Sequence, residues 1–347
     1  MDSKKDIHWI DWTKFICMFF VYWCHIDQLG TNNFAFFVPY GLFFVNSFFF
    51  ISGYLIFKKQ LRLPFITDKY LFVKMQFGDD GMLPNILYKI AIPSILFSMI
   101  DYIPKTIVRG GSFSFGTFVY DTMLRGTNWF TCALCVSELI IFVFLILRKR
   151  NVWFYLFLSI PIFILGNSLN INHFVIWGDE YFPWFYKNGF AACLLITLGG
   201  VYNNYEDFLD RHIKKVGGSY FAIVLFLICC VIEIKEPWGA INASVQRGFN
   251  FSGVLFTLLS IISLIYICKS FCQNNFAKFV SRHSIGFFFL SASIPFVWCR
   301  ITESCLPSGS VSFIIGVIGS FITSLIVVFL LNKFIPFVFD LRKLINK

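Results

Sequence analysis

Ile10-Asp11-Trp12-Thr13-Lys14-Phe15-Ile16-Cys17-Met18-Phe19-Phe20-Val21-Tyr22-Trp23-Cys24-His25-Ile26-Asp27-Gln28 decides how the rest of the chain is read. From Phe15 to Cys24 it carries no charge, and its length falls in the range of roughly 17 to 25 residues that a helix needs to cross a bilayer. Lys4 and Lys5 precede it as in a signal peptide. No small-residue cleavage site follows, however, and bulky Trp23 stands directly before Cys24, which argues against lipoprotein processing. The segment reads as an uncleaved first span.

Composition agrees with that reading. Hydrophobic residues make up 57% of the 347 and charged residues 14%, where a soluble domain carries about 25% charged. Mean hydropathy is +0.72, more apolar surface than one water-solvated core can hide, so lipid is part of the solvent. The net charge of +10 reads as a topology signal rather than a nucleic-acid footprint. Most of the eleven cysteines sit inside apolar runs, where Cys acts as a small buried hydrophobe. Cys132 and Cys135 have CxxC spacing, but no second pair accompanies them at zinc-site spacing, so no metal is expected.

Ten segments are long and apolar enough to span: 10–28, 35–57, 86–104, 128–147, 152–169, 184–202, 218–235, 249–268, 284–300 and 311–335. The third is interrupted by Lys89 and Pro93, which kinked or protein-buried helices tolerate. With the N-terminus inside, 22 of the 29 basic residues fall on the inner side and seven on the outer, as the positive-inside rule requires. The expected fold is an all-α, polytopic integral membrane helical bundle of about ten transmembrane helices. Both termini are expected to be cytoplasmic, and residues 1–347 to form a single transmembrane domain in the cell (inner or plasma) membrane. The longest pieces outside the spans are an inner loop, 58–85, and an outer loop, 105–127. Gly110-Gly111 and Gly116 in the latter read as turn punctuation. No GxxxxGK[ST] pattern exists, so nucleotide hydrolysis is unsupported.

Ionisable groups at membrane depth usually face the bundle interior and mark a working site. Lys14 and His25 are eleven residues apart, about three helical turns, so they share one face at a spacing of roughly 16 Å. Asp11 stands one turn before Lys14. Snorkelling of Asp11 and Lys14 to the inner interface, with His25 and Asp27 near the outer one, would account for each residue alone, but less well for a cation and an imidazole aligned on one stripe. Glu138 falls near the middle of the fourth segment, where a bare carboxylate needs a partner; a structural bond to another helix and a catalytic role both remain open. In Phe48-Phe49-Phe50-Ile51-Ser52-Gly53-Tyr54-Leu55, small Ser52 and Gly53 permit close helix approach.

The order of these pieces resembles the membrane acyltransferase-3 family, bacterial enzymes that O-acylate surface sugars. Lys14, ten residues and then His25 is similar to that family's first-helix signature, which more often opens with Arg. Phe49-Phe50-Ile51-Ser52-Gly53-Tyr54 resembles its second-helix motif, and Asn128-Trp129-Phe130 with Glu138 its fourth helix in one branch. Ser284-Ile285-Gly286 and the aromatic run after it look like its late segment, with Ser291 where the family has His. The family's paired arginines near the third helix are not matched; Lys89 is the clear basic counterpart.

The resemblance implies an O-acyltransferase that moves an acyl, typically acetyl, group from cytoplasmic acyl-CoA to a hydroxyl of a surface or lipid-linked sugar. Acyl-CoA would be a co-substrate, with no cofactor bound permanently and no nucleic acid partner. Lys14 and Lys89 would meet the donor's phosphates, with Asp11, Ser52 and Tyr54 completing the donor site. His25 would serve as general base or transient acyl carrier, and Glu138 would orient it. The competing reading is a transporter or flippase for lipid-linked sugars, which many spans, intramembrane charges and prolines also suit. Such a protein built of inverted repeats shows internal symmetry, and none is visible here.

Overall fold

A chain this apolar can satisfy its backbone polar groups in lipid only by hydrogen-bonding them internally, and the helix does so within one segment. The computed structural model describes residues 7–29, 43–61, 67–108, 112–126, 128–171, 184–235, 243–245, 248–306 and 309–345. Lys4, Lys5, residues 35–42 of the second apolar segment, Arg62, Arg109-Gly110-Gly111, Arg247 and Lys347 lie outside them.

The regular structure of the described part is helical except for one short ribbon, Ala243–Ser244 with Gly248–Phe249. Helix α1 is His8–Leu29, α2 Phe44–Gln60 and α3 Lys69–Phe77. Helix α4, Met82–Ile86, runs through a π-helical turn, Leu87–Ala91, into α5, Ile92–Val108. A short helix, α6 Phe115–Val119, and a second π-turn, Tyr120–Arg125, follow. Then come α7 Trp129–Leu145, α8 Val152–Ile171, α9 Tyr186–Lys215, α10 Ser219–Lys235 and α11 Phe251–Lys269. The chain continues through α12 Asn275–Arg282, α13 Ser284–Leu290, α14 Ser293–Cys305 and α15 Ser310–Phe334.

The ten apolar segments lie mainly on helix wherever they are described. Among the described residues, four helical runs are by themselves long and apolar enough to cross a membrane: Lys69–Ile100, Val152–Asn170, Phe251–Lys269 and Ser310–Phe334. The total is six if two bent pairs each make one span, Tyr186–Lys215 with Ser219–Ile232 and Ser284–Leu290 with Ser293–Cys305. The count of ten is not confirmed, and part of the difference has local causes. Helix α1 has 22 residues but includes Asp11, Lys14 and Asp27. Helices α2 and α7 have 17 each, at the short end of the bilayer-crossing range.

Two stretches read as loops contain helix. Asp68 starts α3 by accepting the N–H groups of Tyr70 and Leu71 at 2.8 and 3.2 Å, a side-chain N-cap. The outer loop holds α6 and its π-turn. Between α9 and α10 the axis bends by 97° at Gly217 and Gly218, whose φ values of 106° and 59° favour glycine.

Helix α15 shows how the sequence partitions between lipid and protein. Ile314, Ile315, Ile318, Ile322 and Ile326 are exposed, while Ser312, Gly316, Ser320 and Ser324 are not. Large aliphatic groups outward and small or hydroxylated ones inward is the membrane pattern, because small residues let helices approach and lipid solvates the large ones. The chain is a multi-pass membrane protein.

The described chain forms two compact units. One comprises residues 1–48, 207–244 and 249–329, and the other 49–206, 245–248 and 330–347.

In the first unit, α1 is tied to its neighbours by side-chain to main-chain bonds near both ends. The Trp12 indole N–H donates to the Cys272 carbonyl at 2.7 Å, and the Tyr22 hydroxyl to the Phe287 carbonyl at 2.9 Å. Phe15 and Phe19 pack edge-on against Phe321, and Trp23 against Phe313. In the second unit, α2 crosses α9 at backbone distance. A methyl group at Gly53 would overlap the Ile196 carbonyl, and one at Gly199 the Phe50 carbonyl. The Ser52-Gly53 step therefore serves the close approach its small side chains suggested.

Candidate functional site

Continuous helix from His8 to Leu29 places Lys14, Met18, Val21 and His25 on one stripe, at helical offsets of four, three and four residues. Met18 is fully buried and Val21 is 3% exposed. Lys14 and His25, at the two ends of that stripe, are half-buried, as is Asp11. A stripe whose middle is fully covered faces protein rather than lipid. The reason lies in what the rest of α1 packs against. Trp23 precedes His25 by two residues, about 200° around the helix, so seating Trp23 on Phe313 turns His25 away from that packing.

The other expected residues belong to the second unit. Helix α7 begins at Asn128, whose side chain caps it by accepting the Thr131 N–H at 3.2 Å, and Glu138 follows on a largely buried helix. Glu138 is 9% exposed, and the Ser52 hydroxyl on α2 donates to its Oε1. A carboxylate in a low-dielectric interior needs such donors to keep its charge tolerable. Two residues expected in different roles, Ser52 with the donor and Glu138 with catalysis, are thus directly bonded.

Tyr54, two residues further along α2, joins a different set. Its ring is fully buried, its hydroxyl donates to Glu206 Oε2 at 2.7 Å, and the Lys58 ammonium donates to the Tyr54 oxygen at 2.7 Å. The Lys58–Tyr54–Glu206 chain is a relay of charged and neutral groups.

Lys89 sits exposed on the π-turn, which has a readable cause. Pro93 has no N–H, so it can serve neither the α-helical nor the π-helical partner upstream. The Ile92 N–H reaches back to the Leu87 carbonyl, a five-residue bond, and Lys89 falls inside the widened turn. Across from it, burial works to raise the pKa of Asp340, but hydrogen bonds and charge from Arg342, with charge from Lys89 behind them, outweigh that and hold it below the usual carboxylate value.

The structure brings Ser52 and Glu138 together. It sets Tyr54 with Lys58 and Glu206, and Lys89 near Asp340. Asp11, Lys14 and His25 share α1 in the first unit. Lys58, Glu206, Asp340 and Arg342 were not singled out in the sequence, and no local motif marks them. Cys132 and Cys135 are buried free thiols, and among the described residues no cluster of His, Cys, Asp or Glu is placed to hold a metal ion.

A family model described as an acyltransferase domain, that of the acyltransferase-3 family, matches residues 7–333. No curated protein and no solved structure matches the chain.

Proposed function

The chain belongs to the acyltransferase-3 family, and from that premise we propose that this membrane acyltransferase moves an acetyl group from cytoplasmic acetyl-CoA to a hydroxyl of a surface or lipid-linked sugar. The cell membrane is its site of action. The observation that carries this reading is the α1 stripe, with a cation at one end, an imidazole at the other and buried Met18 and Val21 between them.

Charge-assisted hydrogen bonds, the strong kind, hold the donor's phosphates; Lys14 in the first unit and Lys89 in the second are each, taken alone, a candidate for that contact. Asp11, one turn from Lys14 on α1, keeps that end of the stripe polar and hydrated. The pantetheine arm then runs along the stripe. Lys14 and His25 are separated by eleven residues of helix, roughly 16 Å at about 1.5 Å per residue, a span an extended pantetheine arm can cover.

At the far end, His25 takes the proton of the acceptor hydroxyl as its oxygen attacks the thioester carbonyl. The new C–O bond forms, the C–S bond breaks, and the sulfur leaves with that proton as the free thiol of CoA. Imidazole suits this because it both accepts and returns a proton near neutral pH.

Ser52 and Tyr54 contribute from the second helix. Ser52 holds Glu138 as a pre-oriented carboxylate, and Tyr54 holds the Lys58–Glu206 relay.

Inside-out vesicles supplied with labelled acetyl-CoA test the proposal. Wild-type protein is expected to label glycan lipid, and His25→Ala to abolish the label while acetyl-CoA still binds. Full transfer by His25→Ala would remove the imidazole from the mechanism. No acetyl-CoA binding by the wild type would remove the donor.

A further inference from the structure

The π-turn that carries Lys89 leaves one carbonyl without a helical partner. The Tyr88 oxygen would accept from Ile92 in an α-helix, but that N–H is taken by Leu87. In a π-helix it would accept from residue 93, which is proline. A chain segment far away in sequence fills the gap: the Leu341 N–H donates to the Tyr88 carbonyl at 3.3 Å.

The residue after Leu341 fastens that contact. Arg342 Nε and Nη2 donate to the two oxygens of Asp340 at 2.9 and 2.8 Å. Nη1 donates to the Asp79 carbonyl at 2.8 Å and to Asp80 Oδ1 at 3.3 Å. Nη2 also reaches Asn85 Oδ1 at 3.1 Å. Asn85 in turn donates to the Asp80 and Gly81 carbonyls at 3.0 and 2.7 Å, which closes the turn leading into α4. One guanidinium therefore ties Asp340, the 79–80 turn and Asn85 together, all next to the π-turn. Its donors are spent on protein groups, so Arg342 is placed to position rather than to bind a ligand. Only a planar fork of five N–H groups serves that many acceptors at once.

We propose that Arg342 is a positioning residue for the acyl donor, fixing Asp340 and the π-turn so that Lys89 stands where a phosphate of acyl-CoA binds. The inference rests on the reading that Lys89 anchors the donor. Asp340 supplies the negative charge that Lys89 faces before the donor arrives, and the donor's phosphates, carrying more charge, take over that role.

Steady-state kinetics with two donors test it: acetyl-CoA, and S-acetylpantetheine, the same thioester without phosphates. Arg342→Ala is expected to raise KM for acetyl-CoA about tenfold, the weight of roughly one good polar contact, with kcat held. Its kcat/KM for S-acetylpantetheine should not change. Arg342→Lys should fall between, because it keeps the charge and loses the fork. Lys89→Ala should raise the acetyl-CoA KM similarly, and the double variant should be no worse than Lys89→Ala, since the two act through one contact.

A loss that is equal for both donors would make Arg342 merely structural and overturn the inference. If Arg342→Ala is not recovered in the membrane, Arg342→Lys decides the same comparison. Lys89→Ala raising KM while the Arg342 variants do not would sink this inference alone. An unchanged KM in Lys89→Ala would instead sink the donor-anchor reading beneath it.

Discussion

The Ser52 hydroxyl on α2 donates to the carboxylate of Glu138 on α7, 86 residues further along the chain. The bond joins a motif that looks like simple packing to the single carboxylate of the fourth apolar segment. It also defines a pair whose members are coupled, because a hydrogen bond to a charged group contributes more than one between neutral groups.

Ser52→Ala is therefore expected to destabilise the protein by about 1.5–3 kcal/mol, the contribution of a hydrogen bond to a charged group. Glu138→Gln should be milder, since the amide oxygen still accepts from Ser52. Thermal midpoints in detergent for both single variants and the double would show coupling. Strict additivity would mean that the two side chains do not interact.

The crossing of α2 and α9 predicts a sharp size limit. Gly53→Ala would drive a methyl group into the Ile196 carbonyl, and Gly199→Ala into that of Phe50. Overpacking of this kind costs about 1–3 kcal/mol or more, so either substitution should lower the yield of folded protein in the membrane. Gly116→Ala is the control, because nothing lies within reach of a methyl group there. Equal yields from all three variants would contradict the close approach.

Lys14→Ala should raise KM for acetyl-CoA about tenfold, the effect of losing roughly one charge-assisted contact. Lys14→Arg should retain near-wild-type kinetics, because the cation and its reach along the helix are preserved. Michaelis–Menten curves in vesicles distinguish the two. A Lys14→Ala variant with unchanged KM would leave the inner end of the stripe without a role.

Acid should loosen the Asp340–Arg342 clamp. Arg342 bonds and charge, with Lys89 behind them, hold Asp340 below its ordinary value of 3.8 despite burial. A depressed folded pKa means the ion pair stabilises the protein fully above the unfolded value, and the gain fades as pH falls through the folded one. Both side chains are largely covered, at 16% and 15% exposed, so solvent screens the pair only in part. Between pH 5 and pH 3, wild-type protein is expected to lose more thermal stability than Asp340→Asn, which has no proton to take up at that site. Parallel pH profiles would count against the clamp.

Helix as the fold class, the apolar segments and the shared face of Lys14 and His25 could all be read from the sequence. Each depends on residues within a few turns of one another or on bulk apolarity. The close approach at Ser52-Gly53 was legible for a related reason, since side-chain size is a local property. Two features were harder to see. Helix α3 lay in a stretch read as a loop because its start is marked only by the Asp68 cap. The π-turn at Leu87–Ala91 showed in the sequence as an interruption by Lys89 and Pro93, without a hint of how the backbone would resolve it.

What the sequence by itself determined is which stretches become helices and which residues share a face, because helical periodicity acts over distances of one to three turns. Which faces meet was settled only in three dimensions. Glu206 for Tyr54 and Asn85 for Arg342 are chosen across 152 and 257 residues, and no periodic signal reaches that far. A buried carboxylate, phenol or orphaned carbonyl demands a partner whatever the fold; only the packed chain decides which group is near enough to answer.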